Sequence, residues 1–369
     1  MPRPKRKVSQ TRLARELGIS QALVSLVLNG RRQGVHTATY DRIWALALQR
    51  GYRPKGMHLP ASPAAPPGQV GFIMHAPLRL NTPSNYFGHV QEGLHSTLRH
   101  HGLSAVFMGA EDQLDPAKLQ RSFPVGHAFK GVVVLGEVSR RFLERLRELG
   151  LRVVAVSARY PGMCHSVLSD ERQALESLVK HLHNLGHRRF GWIGGNVALG
   201  RHDLRLRALE SSLAAVGAQL HPRYRLKLTA ADRAEGAEGV HLLKPHFARR
   251  DFPTAFICYN TLMAAGAMRA FEREGCSVPR DLSIASAGFP ATAFPQTPSI
   301  TAAGSNPEKI GEAAARLVAR LSAQPETAGS FTELVVPAQF FMGETTAAAA
   351  REVRALRPRE IAWPKKLAA

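Results

Sequence analysis

The sequence predicts a chain in two parts: an all-α unit of three helices at the amino end, then an α/β part built as two doubly wound lobes of parallel sheet. Three observations predict this. Apolar residues between positions 10 and 50 recur at helical spacing around a glycine turn. From Gln69 onward, short apolar runs alternate with helical stretches, the signature of strands covered on both faces. The 369 residues, 44% of them hydrophobic, leave room for a small unit and a larger one of one or two lobes.

The segment from Gln10 to Asn29 reads as a short helix, a glycine turn and a second helix that starts at a cap. Ala14 lets two helices approach closely, Gly18 supplies the positive φ of the turn, and Ser20 is a strong N-cap. Leu13, Leu17, Ile19, Val24, Val27 and Leu28 then share inward faces, which leaves Gln21, Ala22, Ser25 and Leu26 pointing outward. This is a helix-turn-helix, and those outward positions are the ones expected to meet base edges. Asn29-Gly30 stops the second helix, Arg31 to Val35 form a polar loop, and Thr37 is placed to cap a third helix running to about Arg50. Ile43, Trp44, Leu46 and Ala47 supply its buried stripe, and Gly51 to Pro54 end it.

Charge separates this reading from an ordinary helical hairpin in a core. Residues 1–58 carry 12 Lys/Arg against two acids, Glu16 and Asp41, so 12 − 2 = 10 of the formal net charge of +21 lies in the first sixth of the chain. Neutralising phosphates requires such a concentration of cations, and packing a core does not.

Residues 55–69, Lys55 to Gln69, are rich in proline and alanine and read as an extended linker. Beyond it the expected order is strand Val70–Met74, helix Tyr86–His101, strand Ala105–Met108, strand Gly131–Leu135, helix Arg140–Leu149 and strand Val153–Val156. A second series follows: helix Glu171–Leu185, strand Arg189–Ile193, helix Leu204–Val216, strand Ala255–Cys258, helix Leu262–Glu274 and strand Leu282–Ala285. Residues 347–369 form a basic tail without a strong pattern, expected to be a solvated extension.

Several function classes have little support. No run of about 18 apolar residues suits a membrane span, and the basic start lacks the apolar segment of a secretory signal. Three widely spaced cysteines, Cys164, Cys258 and Cys276, suggest a reducing compartment, so a cytoplasmic location is expected. The glycines between Gly191 and Gly200 do not have dinucleotide spacing and fit a tight strand-to-helix turn. Cys164-His165 adjacency is not the spatial pairing that a thiol nucleophile needs, and no metal-binding or Cys-x-x-Cys pattern occurs. No catalytic residue, metal or cofactor is implied.

The strings Val8 to Ala14, Gly18-Ile-Ser20, Val24-Ser25, Val27 to Gly30 and Gly51 to Pro54 resemble the headpiece of the lac/gal repressor (LacI/GalR) family. The resemblance implies that the helix starting near Ser20 lies in the major groove and that Gln21, Ala22 and Leu26 choose the base sequence. Ser20, Ser25, Asn29 and Arg31 complete the expected DNA-binding set. Many members have arginine where Leu26 stands; leucine offers apolar contact only, such as to a thymine methyl, so a different half-site is expected. The family often wedges a hinge-helix leucine into the minor groove, and Leu59 is the nearest candidate. Pro60, Pro63, Pro66 and Pro67 oppose a helix there, which leaves dimer contacts in the larger part to hold two headpieces in register.

Leu185 to Gly195, Pro253 to Asn260, Val278 to Ile284 and Pro337 to Thr346 resemble the same family's periplasmic-binding-protein-like effector domain, so the resemblance covers roughly residues 8–346. It implies domains at 1–54 and 70–346 and an effector held in the cleft between lobes. Tyr86, Phe87, Arg205 and Asn260 match effector-binding positions. Arg205 reads otherwise as a solvated helix arginine, and Tyr86 and Phe87 as core. Thr261 and Gly288-Phe289 stand where the family usually has aspartates, so a carboxylate that would grip sugar hydroxyls is missing. The effector is then expected to differ from a common hexose, or the site to have decayed.

The function expected is a sequence-specific, DNA-binding transcriptional regulator, a repressor by resemblance, acting as a cytoplasmic homodimer on a near-palindromic operator and gated by a sugar or related metabolite. The alternative is a doubly wound solute-binding protein or enzyme with nonspecific nucleic-acid affinity. Substituting Gln21 and Leu26 discriminates: only the regulator changes its sequence preference.

Overall fold

The computed structural model describes residues 9–28, 35–50, 68–75, 86–123, 129–290, 298–323 and 330–349. The chain divides into two units, Met1–Pro66 and Pro67–Ala369. In the first, α1 spans Gln10–Leu17, α2 Gln21–Leu28 and α3 Thr37–Gln49. The Ser9 hydroxyl caps α1 by accepting from Arg12 N at 3.3 Å. Gly18 closes the helix at φ 68°, a left-handed conformation that L side chains resist. Ser20 Oγ accepts from Leu23 N at 3.2 Å and so caps α2, which starts at Gln21.

The three helices close over Leu13, Val24, Val27 and Ile43, all fully buried, with Ala14, Leu28 and Ala47 beside them and Leu17, Ile19 and Leu46 half-buried at the edge. Arg50 pairs with Glu16, tying the chain after α3 to α1. One expectation fails: α3 begins at Thr37 itself, so the position before it is His36, whose carbonyl accepts from the Thr39 and Tyr40 amides at 2.9 and 3.0 Å. Asn29, Arg31 and the rest of the 29–34 loop, Gly51 to Pro54, the linker with Leu59, and the Trp44 side chain lie outside the described residues.

The second unit holds two sheets. β1 (Gly68–Met74), β2 (Leu103–Ala110), β3 (Phe129–Leu135), β4 (Val153–Val156), β5 (His165–Ser169) and β11 (Glu333–Val336) form one in the order β11-β5-β4-β3-β1-β2, parallel at every pairing. β6 (Phe190–Gly194), β7 (Leu220–Lys227), β8 (Ala255–Cys258), β9 (Ser283–Ala287), β10 (Thr301–Ser305) and β12 (Ala338–Phe341) form the other, β12-β10-β9-β8-β6-β7, in which only β12 runs antiparallel. Helices α4 (Tyr86–His100), α5 (Pro116–Ser122), α6 (Arg140–Glu148) and α11 (Pro307–Ala323) accompany the first sheet. The second takes α7 (Glu171–Asn184), α8 (Gly200–Ala215), α9 (Arg233–Leu243) and α10 (Thr261–Arg273).

Strand alternation explains the double winding. Val132 and Val134 of β3 join a core with Phe142, Leu143 and Leu146, whereas Val133 and Leu135 join a second core, on the other face, with Leu94, Ile310 and Val318. In the second lobe Trp192, Phe256, Phe271 and Leu209 are fully buried in one core. The chain crosses between lobes after β5, after β10 and between β11 and β12. Three crossings put the ends of strands from both lobes on one cleft.

The sequence reading located its elements to within a few residues, but it left α5, β5, β7, α9, β10, α11, β11 and β12 unassigned. The start of the tail also differs from a solvated extension. Buried His187 bonds through Nε2 to Ala347 O at 3.0 Å, and Ala349 N donates to Leu185 O at 2.8 Å, so residues 347–349 lie bound along the second lobe. Residues 350–369 fall outside the described residues.

Candidate functional site

Two sites come from two units. In the first, Ser20, Gln21 and Ala22 are exposed at the start of α2, while Val24 is buried behind them. Ser25 and Leu26, expected to be fully outward, are half-buried, so the open face narrows to the first turn of the helix. Arg12 and Arg15 on α1 and Arg42 on α3 are exposed. A polar helix start with arginines on the same small unit has the parts that a groove-reading helix requires: base contacts from its first turn and phosphate contacts around it.

In the second unit, carboxyl ends of strands from both lobes open onto a cavity of about 380 Å³. Tyr86, Phe87, Arg205 and Asn260 all line it. Tyr86 begins α4 and its hydroxyl lies 2.8 Å from Ser157 Oγ, at the end of β4. Its ring meets that of Phe87 edge-on at 5.0 Å, and both rings pack partly on the first lobe's core while keeping a face to the cavity. The two readings of this pair are therefore compatible.

Arg205 is 5% exposed, which removes the solvated-arginine alternative. Its Nε donates to Glu171 Oε2 at 2.7 Å, its Nη2 to Glu171 Oε1 at 3.2 Å, and its Nη1 to Tyr259 O. The guanidinium also lies over the Tyr259 ring at 4.6 Å. Arg201, one turn earlier on α8, donates from Nε to the same Glu171 Oε1 at 2.8 Å and covers the Tyr86 ring at 5.0 Å. Burial alone would raise the Glu171 carboxyl, but the two guanidiniums and their hydrogen bonds hold it down at about 2. Glu171 is ionised and fully engaged.

Asn260 caps α10, accepting from Met263 N at 2.8 Å, and its Nδ2 donates to Ala231 O at 2.7 Å. Asp232 caps α9 through Glu235 N at 2.9 Å. Glu137, at the end of β3 in the first lobe, accepts from Gly200 N at 2.8 Å and so caps α8 of the second lobe across the cleft. Thr261, Gly288 and Phe289 line the cavity where aspartates were expected. Yet Glu137, Glu171 and Asp232 bring carboxylates to the same cavity from other elements, so their loss at those positions leaves neither an acid-free nor a collapsed cleft.

The sequence reading missed Glu171, Arg201, Glu137, Asp232 and Tyr259. A signal existed for Arg201, which stands four residues before Arg205 and hence on the same helix face; Arg207, two residues after Arg205, is exposed. Among the described residues no group of three or more His, Cys, Asp or Glu could hold a metal, and no helix is long and apolar enough to cross a membrane.

Residues 179–346 match the model of the periplasmic binding protein-like domain. The chain is 26% identical over 265 residues to the maltose regulon regulatory protein MalI of Escherichia coli (strain K12), covering 71% of this chain and 74% of that protein. It is 24% identical over 325 residues to the HTH-type transcriptional repressor PurR of Yersinia pestis bv. Antiqua (strain Antiqua), covering 85% and 90%. Among solved structures, the lac repressor dimer bound to operator and the anti-inducer ONPF superposes with a TM-score of 0.63 at 17% identity, over 93% of this chain and all of that one, a likeness of fold. A capped helix-turn-helix unit, a two-lobed unit with a cleft, and relatives that are regulators along most of their length make this chain similar to the lac/gal repressor (LacI/GalR) family of transcriptional regulators.

Proposed function

We propose that the chain is a transcriptional repressor that binds a near-palindromic operator as a cytoplasmic homodimer and that a small molecule in the cleft adjusts its affinity for DNA. The observation that carries this is the exposed first turn of α2, with Ser20, Gln21 and Ala22 outward on a closed three-helix core. Gln21 can pair with an adenine edge through its amide, and Ala22 and Leu26 offer apolar contact to a thymine methyl. Ser20 and Ser25, and beyond the described residues Asn29, Arg31 and Leu59, complete the set that we assign to DNA.

Tyr86, Phe87, Arg205 and Asn260 form the effector site in this reading, with Arg201 and Glu171 fixing the guanidinium of Arg205. The ligand acts by binding one arrangement of the lobes more tightly than the other, and that difference in affinity is all it can transmit to the DNA-binding units. Selection of bound duplexes from a random pool tests the proposal. The native chain enriches one half-site in inverted repeat, and Gln21→Ala changes the preferred base at one position of each half. Retention of all duplexes alike rejects the proposal.

A further inference from the structure

Four features of the cleft wall are of the kind that attract anions, and each is already occupied by a group of the chain itself. The first is the guanidinium pair: Arg201 and Arg205 both donate to Glu171, and Arg205 also to Tyr259 O. The second is the start of α8, where helical N–H groups and the macrodipole favour negative charge; Glu137 reaches it from the opposite lobe, 2.8 Å from Gly200 N. The third is the start of α9, capped by Asp232, and the fourth the start of α10, capped by Asn260. The other basic group among the described residues of the wall, His75, has Nδ1 3.9 Å from Glu111 Oε2, beyond hydrogen-bond distance, and that buried nitrogen has no hydrogen-bond partner. Among the described residues, two arginines against the carboxylates of Glu137, Glu171 and Asp232 leave the summed arginine and carboxylate charge of the wall at 2 − 3 = −1. Among the described residues neither Glu137 nor Asp232 has an ion pair.

A phosphate or carboxylate entering this cavity would lose its hydration, find both arginines of the described wall already paired with Glu171, and face the further carboxylates of Glu137 and Asp232. A compound with O–H or N–H donors would meet acceptors on those same carboxylates, and the rings of Tyr86 and Phe87 suit an apolar ring face. We propose that the cleft excludes anions and that its ligand is an uncharged or cationic compound rich in hydrogen-bond donors, with Glu171 as the residue that sets this selectivity by neutralising both arginines. This rests on the reading of the cleft as the effector site.

Inorganic phosphate is the probe, and neither DNA nor the effector is needed. In the native chain, phosphate leaves the melting temperature no higher than chloride at equal ionic strength, and it leaves the Nε resonances of Arg201 and Arg205 unmoved. Glu171→Gln frees the pair, and the folded variant binds phosphate at least about tenfold more tightly than the native chain, with those Nε resonances shifting. Movement of the native Nε resonances, a folded Glu171→Gln that gains no phosphate affinity, or an anionic metabolite co-purifying in the cleft overturns the proposal. Where Glu171→Gln does not fold, the native resonances decide. If phosphate is excluded but no duplex is preferred, charge selection stands and the regulator reading fails, so the two are separable.

Discussion

Arg205 keeps three of its hydrogen bonds within its own chain, and that changes what its removal should do. Arg205→Ala leaves Glu171 paired with Arg201 alone and Tyr259 O without its donor, so denaturant unfolding should show a loss of about 3 kcal/mol as well as any loss of ligand. The same cluster sets an acid limit. The folded-state Glu171 carboxyl lies near 2 against an ordinary 4.5, so its stabilisation is fully present above about pH 4.5 and is lost as pH falls towards 2. His187 acts in a higher window. Burial lowers its pKa from 6.5, and its ring bonds Thr254 Oγ1, Ser283 Oγ and Ala347 O in the neutral form. Its contribution is present above pH 6.5 and declines as pH falls through the lowered folded value, and His187→Gln should flatten the stability profile there. At this scale the sequence located residues that line the cavity better than it located what they touch. Arg205 and Tyr86 were legible from motif position, but Glu171 lies 34 residues before Arg205, and only the packing of α7 against α8 brings them together.

At the scale of elements, the turn between α1 and α2 concentrates the headpiece's local information. Ser20→Ala removes the acceptor for Leu23 N and should cost about 1 kcal/mol of thermal stability in the first unit. Gly18→Ala, at φ 68°, should cost a similar amount. These features were legible because caps and positive-φ glycines have sequence signatures. α9 shows the opposite case. Gly236 and Gly239 argue against a helix on propensity, yet a Cβ at Gly236 would stand 2.2 Å from Met263 O, so the glycine exists to let α9 lie against α10. The edge strand β7 was hidden for another reason: fully burying only Tyr224, it reads as a polar segment with a proline. β10, Thr301 to Ser305, is wholly buried but made of small residues, without the β-branched run that marked β3 and β4.

For the whole molecule, the division of labour was legible from the charge step and the change of periodicity near residue 69, whereas the three crossings between lobes were not, because α11, β11 and β12 were unread. Sedimentation should find a dimer, and operator binding should then depend on protein concentration as dimer formation does. The central claim is that α2 discriminates among base pairs. The most direct test is the ratio of affinities of the intact chain for its selected duplex and for a scrambled duplex of equal length and composition, both at one physiological salt concentration. The account predicts a ratio of about 10³ or more, falling on Gln21→Ala while the salt dependence stays nearly constant. A ratio near one, with folded and dimeric protein, would contradict it.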